Sequence, residues 1–211
     1  MTVKYFLTVA VIFSFAFPGL RSSSFLSADS VLTNDTSAGR FRIKSMDAEL
    51  RIKFNSSEIA PLDKRILFND FFRQYSGIKD ALVYNDADGA GRKTLQLLDE
   101  MKSASDKITK ENDDALWKIF ILNYESIRSK AESLKFITEQ RFMFGEISRG
   151  IVNLIRHYGL HDKTVYLLEY RDDSLNANQQ WLSDKRDARN PFIGKMNDTL
   201  HTKVKEVWIF E

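Results

Sequence analysis

The sequence predicts a mainly all-α protein: an antiparallel four-helix bundle, an irregular C-terminal wrap and a candidate N-terminal β-hairpin. Three observations predict this class. Between Pro61 and Tyr158 apolar residues recur at three- and four-residue steps in four successive segments, the period of an amphipathic helix. The 211 residues include only nine Gly and three Pro, few for a sandwich or barrel built on tight turns. The connections between the segments are short, which makes neighbouring helices antiparallel.

Residues 1–24 read as a signal peptide. Lys4 supplies the positive n-region, Tyr5 to Phe17 is an apolar run too short to span a bilayer, and Pro18 and Gly19 end it. Ser14-Phe15-Ala16 and Ser22-Ser23-Ser24 both offer small residues for cleavage, and an N-terminal membrane anchor is the alternative. The rest has no second apolar stretch long enough to span a membrane. There is no Cys, which excludes a lipid-carrying cysteine, disulfides and thiolate metal sites. Without residues 1–24, which hold Lys4 and Arg21 and no acids, 29 basic side chains face 29 acidic ones. That balance gives no electrostatic case for nucleic acid or an anionic membrane.

Residues 25–60 are polar. "RFRIKS" and "ELRIKF" alternate apolar and charged residues through Phe41, Ile43, Leu50, Ile52 and Phe54. This is a strand signal, and a turn at Met46-Asp47-Ala48 would make a hairpin. The bundle occupies residues 61–159. Leu67, Phe71, Tyr75, Ile78 and Leu82 form the stripe of a first helix, with Pro61 suited to its first turn. "NDADGAG" ends it and opens a second, with Ala90, Leu95, Leu98 and Met101 inward. Asn112 caps a third, with Asp113 and Asp114 at its positive end and Leu116, Phe120, Tyr124, Ile127 and Ala131 inward. The fourth runs from Glu139 to Tyr158, with Phe144, Ile147, Ile151, Leu154 and Ile155 inward and Gly159 as C-cap. In residues 160–211, the wrap, only Val165–Leu168 and Val204–Phe210 look strand-like.

Catalytic chemistry is sparse. His157 and His161 have helical ligand spacing, but Gly159 between them ends the helix. Asp113-Asp114 and Asp172-Asp173 are adjacent pairs, more typical of caps and turns than of acid–base catalysis. Gly89-Ala90-Gly91 lacks the longer glycine pattern of a phosphate loop. No nucleophile motif is present, so an enzyme is not expected.

"WLSDKRDARNPFIGKM", from Trp181 to Met196, is more specific. Ser183 reads as the cap of a short helix running to about Arg189. Pro191 forces Asn190 out of helical geometry, and Gly194 permits a turn. Trp181 and Phe192 are then anchors on the bundle.

This string, with two earlier ones, resembles a bacterial periplasmic domain-of-unknown-function family, number 3347, which occurs alone or fused to CusB-type heavy-metal efflux adaptor subunits. The first segment is Tyr75, Ile78, Lys79, Asp80, Ala81, Leu82, Val83 and Asp86. The second is Gln140, Arg141 and Phe144. The third is Trp181, Leu182, Ser183, Arg189, Asn190, Pro191, Phe192, Gly194, Lys195 and Met196. The resemblance implies a helical bundle with a C-terminal wrap, and soft-metal handling. The family's usual Cys-Pro-Met stretch is replaced here by Tyr170 to Asp173, its second Cys by Thr199, and its His around the Gln-Arg pair by Glu139 and Met143. Met143, Met196 and His201 remain as copper(I) donors of a weak kind; the alternative for Met143 and Met196 is ordinary gap-filling core. The expectation is an exported, non-enzymatic binding or accessory module without a cofactor, its partner an envelope efflux component. The alternative is a periplasmic copper metallochaperone using Met and His ligands.

Overall fold

The computed structural model describes residues 50–55, 59–105, 108, 115–172, 177–186, 188–194 and 202–211. Among the described residues the long helices are α1 (Leu62–Val83), α2 (Ala87–Ser103), α3 (Ala115–Ser133) and α4 (Ile137–Tyr158). Asn85, at φ 59°, ends α1 in the left-handed conformation that Asn tolerates better than most residues. Its neighbour's Asp86 N–H donates to Ala81 O at 2.9 Å. The Asp86 carboxylate then caps α2 by accepting from Gly89 N at 2.8 Å. At the start of α4, Glu139 Oε2 accepts from Lys135 N and Phe136 N. Gly159 N–H closes α4 on Ile155 O, with φ at 75°.

The fold is mixed α/β, and the all-α expectation is overturned by a four-stranded sheet. Residues 163–210, read as an irregular wrap, supply β2 (Lys163–Asp172), β3 (Ala177–Ser183) and β4 (Thr202–Phe210). β1 (Leu50–Phe54) completes the order β1-β4-β2-β3. β2 pairs antiparallel with both neighbours. β1 lies parallel to β4, from Leu50↔Glu206 to Phe54↔Phe210. The alternation in "ELRIKF" therefore marks a strand whose described partner is the C-terminal strand, not a hairpin mate. The proposed turn at 46–48, with Phe41 and Ile43, lies outside the described residues. So do residues 1–24, Asn112 to Asp114, Asp173, Lys195, Met196, Thr199 and His201.

The short helix expected after Ser183 is also corrected: the described residues between Ser183 and Asn190 are not helical. Ser183 is the last residue of β3, and its hydroxyl accepts from Lys185 N at 3.1 Å. A Ser before an acidic residue signals a tight side-chain turn as readily as a helix cap.

Residues from Ser45 onward form one compact unit. Helices and sheet share one core, in which Phe68, Tyr75, Trp117, Phe144, Trp181 and Trp208 are wholly enclosed. Phe68 stacks on Tyr158 at 4.4 Å, and Phe54 stacks on Phe210 at 4.6 Å. Trp208 Nε1 donates to Glu206 Oε2 at 2.8 Å, and the same oxygen accepts from Arg156 of α4. Among the described residues no helix is long and apolar enough to cross a membrane.

Gly150 is a weak point in α4. It lies mid-helix beside a void of about 40 Å³, and an added Cβ would meet nothing within 4 Å. Gly150→Ala is expected to raise stability by about 0.5–1 kcal/mol, through lower chain entropy when unfolded and better helix propensity. Urea melts of the two proteins check this.

Candidate functional site

β3 is an edge strand: Leu182 N–H and Gln180 C=O point away from β2. Two hydroxyls satisfy them. Leu182 N donates to Tyr75 Oη at 3.2 Å, and Ser148 Oγ donates to Gln180 O at 2.8 Å. The hydroxyls lie 2.5 Å apart. Ser148 has one proton and gives it to Gln180, so Tyr75 must donate to Ser148. The relay therefore runs Leu182 N–H, Tyr75 O–H, Ser148 O–H, Gln180 O=C. Complete burial pushes the Tyr75 phenol far above its usual range, which keeps the donated proton in place.

Arg141 fastens a second junction. Its Nε donates to Pro191 O at 3.0 Å, and its Nη2 donates to Asn85 Oδ1 at 2.6 Å and Leu82 O at 3.4 Å. One guanidinium thus ties the end of α1 and the turn after β3 to α4. Burial lowers its pKa. The turn holds itself together: Asn190 Oδ1 accepts from Phe192 N at 2.8 Å, and Asn190 O accepts from Gly194 N at 3.1 Å. Gly194, at φ 72°, packs so closely on Arg141 and Asn85 that a Cβ would collide with both.

Other described residues of the three sequence segments lie at the same seam. Trp181 is wholly buried, with Phe192 against it at 5.8 Å; Phe192 also meets Phe144, which stacks on Tyr75. Lys79, 5% exposed, donates to Ser183 Oγ at 3.3 Å and pairs with Asp80. Gln140 donates to Leu134 O and lies where a Cβ on Gly91 would press on it. Gly91 therefore serves close helix packing. Asp80 and Asp86 of the same segments are exposed.

The copper candidates are not brought together by any observation. Met143 is 4% exposed, within the core; Met196 and His201 lie outside the described residues. His157 is exposed at the end of α4, while His161 sits past Gly159 with its backbone held on both sides by Asn69. Among the described residues no group of three or more His, Cys, Asp or Glu could hold a metal ion.

A different surface is concave. A groove of about 810 Å³ lies between α1, α2 and α3. Leu67, Phe71, Leu95 and Ala104 give it an apolar floor. On one wall Arg128 Nε donates to Asp99 Oδ1 at 2.9 Å, and Tyr124 Oη donates to the same oxygen at 2.7 Å. These bonds hold the Asp99 carboxyl below its usual range, and burial and Asp99 together raise the Tyr124 phenol. Asp70 pairs with Arg73 at 3.0 Å. Glu100 accepts from Gln74 and Gln96 and has no cation partner among the described residues. Arg92 lines the groove and makes no hydrogen bond or ion pair among them. The sequence places Leu67, Phe71, Leu95 and Tyr124 on inward helix stripes and does not single out the groove's charged residues. Their one visible signal is the stripe Arg92, Gln96, Glu100 and Ser103 at helical spacing on α2.

These features define a mixed α/β domain whose signature residues are internal fasteners and whose open concavity lies on another face. Residues 71–163 match the model of a family described as protein of unknown function (DUF3347). That stretch contains the first two segments and supports the family resemblance there. No curated protein and no solved structure matches the chain.

Trp181 tests the seam. Trp181→Ala removes a fully enclosed side chain and is expected to cost about 3–5 kcal/mol in denaturant melts. Trp181→Phe should cost much less, because the indole N–H makes no hydrogen bond.

Proposed function

We propose that this chain is an exported, non-enzymatic binding module, an accessory of a bacterial envelope assembly such as a heavy-metal efflux system, without a metal site of its own. The observation that carries the reading is the use of the signature side chains. Tyr75, Lys79, Gln140, Arg141, Asn190 and Phe192 are engaged in packing and internal hydrogen bonds. This supports a role as scaffold for them. The groove of α1, α2 and α3 is then the surface offered to a ligand, since apolar floors with a few polar groups suit binding. Export is supported by Lys4 and the apolar run that follows it.

A copper carrier would have to use Met143, Met196 and His201, two thioethers and an imidazole. Competition with a calibrated copper(I) chelator is expected to give no binding tighter than about micromolar, roughly −8 kcal/mol. Tight one-to-one binding lost in Met196→Leu would replace this reading with a metallochaperone.

The module reading is tested in the native host with a photo-crosslinking residue at Gln96 in the groove or at Arg149 on the exposed face of α4. A discrete adduct from position 96 and none from 149 is expected. Equal labelling, or none from 96, would overturn the groove as the binding surface. N-terminal sequencing of the recovered protein should find residues before about Ser24 removed.

A further inference from the structure

The groove's walls restrict what can occupy it. All three walls are α-helices, whose backbone N–H and C=O groups are already paired within the helix. An extended peptide laid along it would find no backbone partners for its own amides, and burying them unpaired is unfavourable. A helix brings its backbone already satisfied and needs only side-chain contacts, the recognition mode of helix-in-groove complexes. The groove has the matching shape. From Arg92 to Ser103 its wall follows α2 for about 17 Å, roughly three helical turns, above a floor formed by Leu67, Phe71 and Leu95.

The charges specify the visitor further. Among the described residues three arginines and three acids line the groove, and their charges sum to zero. Two pairs neutralise themselves internally, Asp70 with Arg73 and Asp99 with Arg128. Of these described residues there remain one uncompensated cation, Arg92, and one anion held only by amides, Glu100. They lie eight residues apart on α2, about 12 Å along its axis.

We propose that the groove receives an amphipathic helix of a partner protein. Its apolar stripe lies on the half-buried Leu67 and Leu95, with an acidic side chain opposite Arg92 and a basic one about two turns away opposite Glu100. The proposal rests on the groove being the binding surface and adds the chemistry of its occupant.

Four synthetic 18-residue helical peptides test it on the protein. They share one leucine stripe and differ only in two positions eight apart: Glu then Lys, Lys then Glu, Glu with Glu, or Lys with Lys. A given order of the mixed pair matches Arg92 and Glu100 in one docking direction only, so both orders are made and the tighter of the two is the Glu/Lys peptide compared below. Fluorescence anisotropy should show the Glu/Lys peptide binding wild type at least about fivefold tighter than either like-charged peptide. Arg92→Glu should shift the preference to the Lys/Lys peptide, and Glu100→Lys to the Glu/Glu peptide. Both substitutions are at surface positions without an ion pair, and a circular dichroism melt confirms that each variant folds. Equal affinities, or preferences that fail to follow the substitutions, would overturn the proposal. If no peptide binds while the crosslink from position 96 persists, the occupant is not such a helix and the module reading survives. If both fail, the groove is not the binding surface at all.

Discussion

The hydroxyl relay from Leu182 N–H through Tyr75 and Ser148 to Gln180 O=C is the constraint on which the two layers depend. An edge strand exposes a row of unpaired backbone groups. Burying that edge under helices without partners would leave a donor and an acceptor unsatisfied, at about 1–3 kcal/mol each. Tyr75 from α1 and Ser148 from α4 stand in for the missing neighbouring strand. In doing so they fix the height of both helices against β3. Close approach follows: a Cβ on Gly145 of α4 would come within 3.0 Å of Gln179 Oε1.

Arg141 acts at the other end of the same seam. It is useful there because its donors point in several fixed directions at once. Its described acceptors are two carbonyls and one amide oxygen, from two separate pieces of chain. A carboxylate partner would have engaged the fork from one side and left these carbonyls unlinked. Aromatic contact between Phe144, Phe192 and Trp181 fills the space between the relay and the arginine. Residues far apart in sequence therefore form one joint, and a sequence signature scattered over three segments has a single structural meaning.

That joint lies apart from the groove. The seam lies where α1 and α4 meet the sheet, and its relay and the Arg141 fork are matched internally. The groove uses other faces of α1 and α2, together with α3, and there Arg92 and Glu100 have no ionic partners among the described residues. A surface that keeps unpaired charges around an apolar floor is suited to selecting a partner by charge pattern.

The sequence by itself determined the helices and their inward stripes, because the 3.6-residue period is local and needs no distant partner. Phe71, Tyr75, Ile78 and Leu82 of α1, and Phe144, Ile151 and Ile155 of α4, are buried where that period places them. It also determined the stops at Asn85 and Gly159, which need a left-handed residue, and the strand-like alternation of Leu50, Ile52 and Phe54. Tertiary structure alone decided the sheet. Parallel pairing of β1 with β4 joins Leu50 to Glu206, and no local pattern encodes which distant strand a strand will meet. β3 was illegible because "ANQQWLS" is polar on an edge, its strand character supplied by pairing with β2 and by Tyr75 and Ser148. The groove was illegible for the same reason: an Arg on a helix face is ordinary in sequence, and only the packing of three helices shows which charges find partners.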